Sequence, residues 1–395
     1  MITLTPMHPI YLDHSATTPV CHDAVTAMLP YFHEHFGNSS SLHAFGRDAT
    51  AALDAARAVV ACELGARPNE IIFTACGTES DNLALRGAAF AMRKRNPNKT
   101  HLITAHAEHH AVAGTLHQLR DWFGFELTEL PVDTNGFVNP DDVRRAIRPQ
   151  TALVSVMAAN NEVGTLQAIG KIGALCREHS VLFHTDAVQC PAYMTIDVKQ
   201  LNIDLMALSA HKFYGPKGVG ILYMRDGTPY LPTNTGGGHE RGRRAGTVNV
   251  AGAVGTATAL KYVAKNREVQ SARLQVLRDQ LIAGILADVS DVRLSGHPQQ
   301  RLPHHASLLF KDVDGEMLLM SLDVEGIAVS TGSACTSGNP EPSGVLVAMG
   351  IAHEWALGGL RITLGYDTTE AEIDYVIRTL PKCVSRVRKA MHYIG

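Results

Sequence analysis

Short apolar runs closed by polar turns recur through the first two thirds of the chain. Val181–Phe183 leads into His184, Thr185 and Asp186. Leu205–Leu208 leads into Ser209, Ala210, His211 and Lys212, then the breakers Gly215, Pro216 and Gly218. Ile71–Phe73, His101–Thr104, Phe125–Leu130 and Ala152–Met157 repeat the pattern. Between them lie stretches expected to be helical: Asp81–Met92, a helix through Leu119, Pro140–Ile147 and Ile169–His179. Short apolar runs bounded by turn residues suit strands buried on both faces. Their alternation with helices predicts a mostly parallel sheet flanked by helices over residues 70–223. Helices are also expected at Ala24–Phe32 and Ala49–Leu64, with an ordered loop or lid over Phe36–Arg47. From Val248 to about Asp288 an Ala- and Leu-rich region reads as long helices. The last third is α+β, with strands at His305–Phe310, Ile327–Ser330 and Leu360–Leu364 and helices at Gly315–Leu322 and Glu370–His392. The expected organisation is a large domain over 16–260 and a smaller α+β domain from 1–15 and 261–395.

Composition narrows the class. At 395 residues the chain is long enough for two large cores. A net charge of −3 gives no global reason to expect nucleic acid or membrane binding. No apolar run is long enough to span a bilayer, and MITLTPMHPI has no basic segment followed by an apolar core. Seven cysteines, at 21, 62, 76, 176, 190, 335 and 383, form no CxxC pair, which argues for a reducing compartment and against a disulfide framework. His101, His106, His109, His110 and His117 crowd one region, but their spacing does not match HExxH and no cysteine or carboxylate set completes a tetrahedral site, so no metal is expected.

The candidate chemistry gathers at strand ends. In open α/β sheets, ligands bind outside the carboxyl ends of the strands. Asp186 and Lys212 end successive runs, with Ser209 and His211 beside them. An acid and a lysine so placed suit an imine-forming amine beside a pyridine ring whose nitrogen needs an anionic partner. Strand, small residues and helix start at 71–81 make an anion site, to which Thr78 adds a hydroxyl. Thr235–Thr247 (TGGGHERGRRAGT) is Gly-rich and basic, suited to phosphate or carboxylate contact. Cys335 stands in the small-residue loop TGSACTSGNPEPSG at 331–344, as a reactive thiol would.

These motifs, in this order, resemble the cysteine desulfurases of the class V aminotransferase superfamily, nitrogen-fixation and iron–sulfur-assembly branch. The resemblance is carried by YLDHSATTP at 11–19, FGNSSSLHAFG at 36–46, GTESDN at 77–82, EHHAV at 108–112, NNEVG at 160–164, HTDAVQ at 184–189, SAHKFYGPKG at 209–218, GGGHERGRRAGT at 236–247 and GSACTSG at 332–338. It implies the type I fold of pyridoxal-phosphate-dependent transferases and pyridoxal 5′-phosphate as cofactor. Lys212 would hold the cofactor as a Schiff base and act as base at the substrate Cα. Asp186 would pair with the pyridinium nitrogen, and His109 would stack on the ring and serve in acid–base steps. Asn161 and Gln189 would contact the ring hydroxyl side, and Gly77, Thr78, Ser209 and His211 the phosphate. Thr247 would reach the phosphate of the neighbouring subunit in a two-fold homodimer. Arg361 would clamp the substrate carboxylate bidentately, with Asn161 assisting. Cys335 would take the sulfur of L-cysteine as a persulfide, release L-alanine, and pass the sulfur to an iron–sulfur scaffold or another acceptor protein in the cytoplasm.

Two other readings are separable by experiment. Selenocysteine lyase or another class V transaminase would differ in substrate preference, and a transaminase has no use for Cys335. A non-catalytic scaffold or metal-binding protein would be colourless and cofactor-free.

Overall fold

The computed structural model describes residues 9–331 and 342–394. Twelve strands are labelled in chain order: β1 Ile10–Tyr11, β2 Ile71–Thr74, β3 His101–Ala105, β4 Glu126–Leu130, β5 Thr151–Ser155, β6 Leu182–Asp186, β7 Leu205–Ser209, β8 Gly220–Met224, β9 Val292–Leu294, β10 His305–Phe310, β11 Ile327–Ala328 and β12 Gly359–Thr363. A seven-stranded sheet runs in the order β2-β8-β7-β6-β5-β3-β4. β4, β3, β5, β6 and β7 pair in parallel, while β8 is antiparallel to both β7 and β2. The mostly parallel α/β sheet expected from the alternation is therefore present.

Both faces of this sheet are buried except at the edge strand β4, which is why its other strands read as largely apolar runs. Ile71 and Phe73 face one core with Ile103, Phe183 and Met206, whereas Ile72 faces a second with Leu102, Leu153, Leu205 and Leu222. Alternate residues of a strand point to opposite faces, so each apolar run serves both cores. Unanticipated from the sequence is β8, whose short run follows Gly215, Pro216 and Gly218. Those breakers form the turn that brings it back antiparallel beside β7.

The strand order reverses between β3 and β5, a switch point that opens a crevice at the carboxyl edge. The helix Gly77–Arg95 begins at this edge. Cys76 Sγ accepts from the Glu79 N–H at 3.4 Å, Glu79 reaches back to the Ala75 N–H, and Arg93, Lys94 and Arg95 stand at its negative end.

A second, smaller sheet has the order β12-β10-β9, and β1 pairs in parallel with β11. Asp13 and Ser330 bridge to β12 at Thr363 and Arg361. The Ala- and Leu-rich region is one continuous helix, Val250–Asp288, packed against the helices His22–Met28, Ala44–Glu63 and Glu370–Ile394. The expected helix at Ala24–Phe32 is instead two pieces, His22–Met28 and Pro30–His33, because Pro30 starts a new helix at its first position. No described helix is long and apolar enough to cross a membrane.

Candidate active site

A cavity of about 380 Å3 lies at the carboxyl edge of the large sheet. Gly77 and Thr78 reach it from the helix that follows β2, His109 from the turn after β3, and Asn161 from the turn after β5. Asp186 and Gln189 come from the end of β6, Ser209, His211 and Lys212 from the end of β7, and Arg361 from β12. Ten of the predicted site residues are thus in one place. Thr247 is exposed and does not line this cavity, and Cys335 lies outside the described residues.

Lys212 Nζ donates to two backbone carbonyls, Ser15 O at 2.5 Å and Ala16 O at 2.7 Å. Burial pulls its pKa down to about 8, Arg361 pulls the same way, and Asp13 and Asp186 oppose them. Asp186 is buried and accepts from the Val188 N–H at 2.9 Å. Burial raises its pKa, against the pull of His109, the Val188 amide and Lys212.

His109 caps the helix His110–Phe123, its Nδ1 accepting from the Ala111 N–H at 3.1 Å. That bond assigns the ring proton to Nε2. Desolvation pushes its pKa below the usual histidine value, so the ring is a neutral donor beside the cavity. His211 is kept neutral by burial, its pKa at about 4, and its Nδ1 lies 3.1 Å from Thr17 Oγ1.

Arg361 is oriented before any ligand arrives. Its two terminal nitrogens donate to Asp13 Oδ1 at 2.8 Å and Asn161 O at 3.1 Å, and its buried Nε has no hydrogen-bond partner among the described residues. Gln189 Nε2 donates to Ser15 O at 3.0 Å, on the carbonyl that also holds Lys212.

The cavity fits pyridoxal phosphate. A Cβ on Gly77 would stand 2.9 Å from Val188 Cγ2 and 3.3 Å from Ser209 Cβ, so only a glycine leaves this end of the cavity open. The free N–H groups of a helix start, with Ser209 and Thr78, suit a phosphate, and Asp186 at the other end suits a ring nitrogen. The aminotransferase class-V family pattern matches residues 10–376. The chain belongs to the aminotransferase class-V family. As a member it is a pyridoxal-phosphate-dependent enzyme.

Similarity to class-V relatives extends along the whole chain. It is 44% identical over 384 residues to "Cysteine desulfurase IscS" of Dictyoglomus turgidum, covering 97% of this chain and 96% of that protein. The solved structure titled "NIFS-LIKE PROTEIN" superposes with a TM-score of 0.89 at 36% identity, covering 95% of this chain and 99% of that one. The structure titled "SspA in complex with cysteine" superposes with a TM-score of 0.80 at 35% identity, covering 90% and 98%.

Several groups of this class-V site were not foreseen. Asp13, Ser15, Asp81 and Glu108 fall inside or beside the quoted motifs, yet their partners lie far off in sequence. Glu108 Oε1 accepts from the Met157 N–H at 2.7 Å, across from the end of β3 to the end of β5. The Gly-rich basic segment is an anchored loop. Glu240 forms a buried double contact with Arg57, both bonds 2.8 Å, and Arg244 pairs with Glu79 at 2.8 Å. Its carboxylate contact is thus with the protein's own Glu79. Two of the crowded histidines have structural partners, His101 between Thr151 and Thr128 and His117 against Glu129.

Proposed function

We propose that this enzyme is an L-cysteine desulfurase that passes sulfur through a Cys335 persulfide to acceptor proteins of iron–sulfur cluster assembly. The observation that carries this reading is one cavity shared by Lys212, Asp186, His109 and Arg361, in a chain similar end to end to proteins named cysteine desulfurase. Lys212 is the primary amine that holds the cofactor aldehyde. Asp186 faces the ring nitrogen, His109 stacks on the ring, and Asn161 and Gln189 meet its hydroxyl side. Gly77, Thr78, Ser209 and His211 hold the phosphate.

Bound pyridoxal phosphate supplies the electron sink that makes the substrate Cα proton acidic. Arg361 presents its guanidinium N–H groups to the substrate carboxylate, with Asn161 beside it. With its amine free, Lys212 would take the Cα proton, and His109 would hand protons on from Nε2. The Cys335 thiolate would attack the substrate sulfur, forming the S–S bond as the Cβ–S bond breaks; Cβ gains one proton and Cα regains the one it lost, so that alanine leaves. Ser330 lines the cavity, and Cys335 is five residues further on, within about 17 Å of extended chain. Thr247, exposed and away from its own cavity, reaches the cofactor phosphate of a second copy in a homodimer. The division into a large domain over 16–260 and a small one from the rest, and the cytoplasm as the place of action, complete the reading.

The test is release of alanine and sulfide from L-cysteine under reducing conditions, against L-selenocysteine and against L-alanine with a keto acid. L-cysteine is expected to lead, Lys212→Ala to be colourless and inactive, and Cys335→Ala to lose transfer to any acceptor. Full sulfur transfer by Cys335→Ala would refute the persulfide step.

A further inference from the structure

Under the floor of the cavity, Asp81, His184 and Ser155 form a line of buried polar side chains with no part in the scheme above. Asp81 is 1% exposed, and His184 and Ser155 are fully buried. His184 Nδ1 lies 2.8 Å from Ser155 Oγ, and His184 Nε2 lies 3.4 Å from Asp81 Oδ1. Both of these last two atoms are buried without a hydrogen-bond partner among the described residues, and each faces the other. Asp81 lines the cavity from the helix Gly77–Arg95. His184 precedes Asp186 by two positions on β6, so the two side chains share a face of the sheet.

Apart from His184, the titratable groups that bear on Asp81 are acids. Asp186, Glu108 and Cys76 face it, and burial together with these neighbours holds its carboxyl far above the ordinary carboxylate range. Burial holds His184 neutral, its pKa near 3. Burial raises Asp186 too, but unlike Asp81 it has the Val188 amide and Lys212 favouring its charged form. A neutral Asp81 has one O–H to give, and His184 Nε2 is within reach of it. With Nε2 accepting, the ring proton sits on Nδ1 and is donated to Ser155 Oγ. Each contact then has one hydrogen, and no charge is buried in the line.

We propose that Asp81 is a positioning residue for Asp186: a neutral acid hydrogen-bonded to His184, which leaves Asp186 as the charged carboxylate on the cavity floor. The inference rests on the pyridoxal phosphate reading, since the charge is needed to hold the ring nitrogen protonated. A second charged carboxylate there would compete for that proton and repel Asp186.

Infrared spectroscopy reads the proton directly, because a protonated carboxyl has a carbonyl band, distinct from carboxylate bands, that moves in D2O. Such a band is expected in both cofactor-free protein and holoprotein at neutral pH, lost in Asp81→Asn and shifted in His184→Gln. Glu108→Gln identifies the band of the neighbouring buried Glu108, whose carboxyl burial also holds above the ordinary range. The visible absorbance of the bound cofactor is then titrated. Asp81→Asn, uncharged like the group it replaces, is expected to keep the wild-type midpoint. Asp81→Ala, which leaves His184 unpaired, is expected to retain cofactor about ten-fold less tightly. Three results would each overturn the proposal: an infrared spectrum that Asp81→Asn leaves unchanged, a midpoint displaced by about one pH unit in that variant, or wild-type cofactor retention in Asp81→Ala. A protein that never takes up pyridoxal phosphate would instead sink the cofactor reading, because the cofactor-free infrared measurement still reports on Asp81.

Discussion

Lys212 should capture the cofactor as though it were a far weaker base than an ordinary lysine. Its pKa is lowered from 10.5 to about 8, first by burial and next by the Arg361 charge. That shift is worth about 3 kcal/mol of preference for the neutral amine. At pH 7.5 about a quarter of Lys212 is then free amine, against about one part in a thousand for a solvated lysine. The assay follows the visible absorbance as cofactor-free protein takes up pyridoxal phosphate from about pH 6 to about pH 10. Rates are divided by those of a free lysine derivative, which cancels the titration of the cofactor itself. The normalised rate is expected to be flat below about pH 8 and to fall above it, because Lys212 is then fully free amine while the derivative continues to climb toward its own pKa of about 10.4.

The same shift makes a stability prediction with a definite sign. The folded state binds the Lys212 proton less tightly than the unfolded chain. Between about pH 8 and pH 10.4 the unfolded chain therefore holds more protons, and Lys212 contributes a rise in stability with pH across that window. Below it the cost of charging the buried amine is fully present. Asp13 opposes the shift, so Asp13→Asn is expected to move the capture midpoint lower still, while Arg361→Gln moves it up. A midpoint at the solvated value, or one that Asp13→Asn raises, would refute the claim that burial and Arg361 set this amine.

Three other perturbations follow from contacts in the structure. Glu240→Ala leaves Arg57 buried without its partner and frees the Phe73 N–H, so urea unfolding is expected to show a loss of about 3–5 kcal/mol; a loss below about 1 kcal/mol would show the pair to be no more than a surface-like contact. Arg361→Lys keeps the charge but not the fork held by Asp13 and Asn161, and the KM for L-cysteine is expected to rise about ten-fold, with cofactor binding retained. Gly77→Ala places a Cβ against Val188 and Ser209, and equilibrium dialysis is expected to show about ten-fold weaker cofactor binding.

Much of the large sheet was legible because its signals are local. The inner strands β3, β5, β6 and β7, with β2, are short, largely apolar runs with a turn at their ends, because both their faces are buried, whereas the edge strand β4 carries Glu126, Thr128 and Glu129. The chemistry at the ends of β6 and β7 was legible for the same reason, since Asp186 and Lys212 stand where adjacent parallel strands must stop. β8 was hidden because the Gly215–Gly218 turn that precedes it reads as a break, although it returns the chain antiparallel beside β7. The split at Pro30 was available, since a proline in mid-helix removes a hydrogen bond and often begins a new segment.

What stayed hidden was pairing across long separations, and Arg361 shows why that matters to the chemistry. The sequence marks an arginine on a strand, able to grip a carboxylate with two N–H groups. It does not show that Asp13, 348 positions away, already holds one end of the guanidinium. The cause is the register of the small sheet: Asp13 bridges to Thr363, two residues from Arg361 on β12 and so on the same face. The Asn161 carbonyl, after β5 of the large sheet, holds the other terminal nitrogen. A fork fixed by both sheets loses little freedom when a substrate arrives, so more of the carboxylate contact remains as binding. The arrangement also limits what the site accepts. With Asp13 already neutralising part of Arg361, one further carboxylate balances the local charge. A ligand with a second anionic group near Arg361 would meet the Asp13 carboxylate without a free cation to match. Asp13→Asn therefore tests two things at once: Lys212 becomes a weaker base, and binding of dicarboxylic amino acids to the holoprotein improves relative to L-cysteine. If the first change occurs without the second, Asp13 acts on the amine alone and the clamp is not tuned to a single carboxylate.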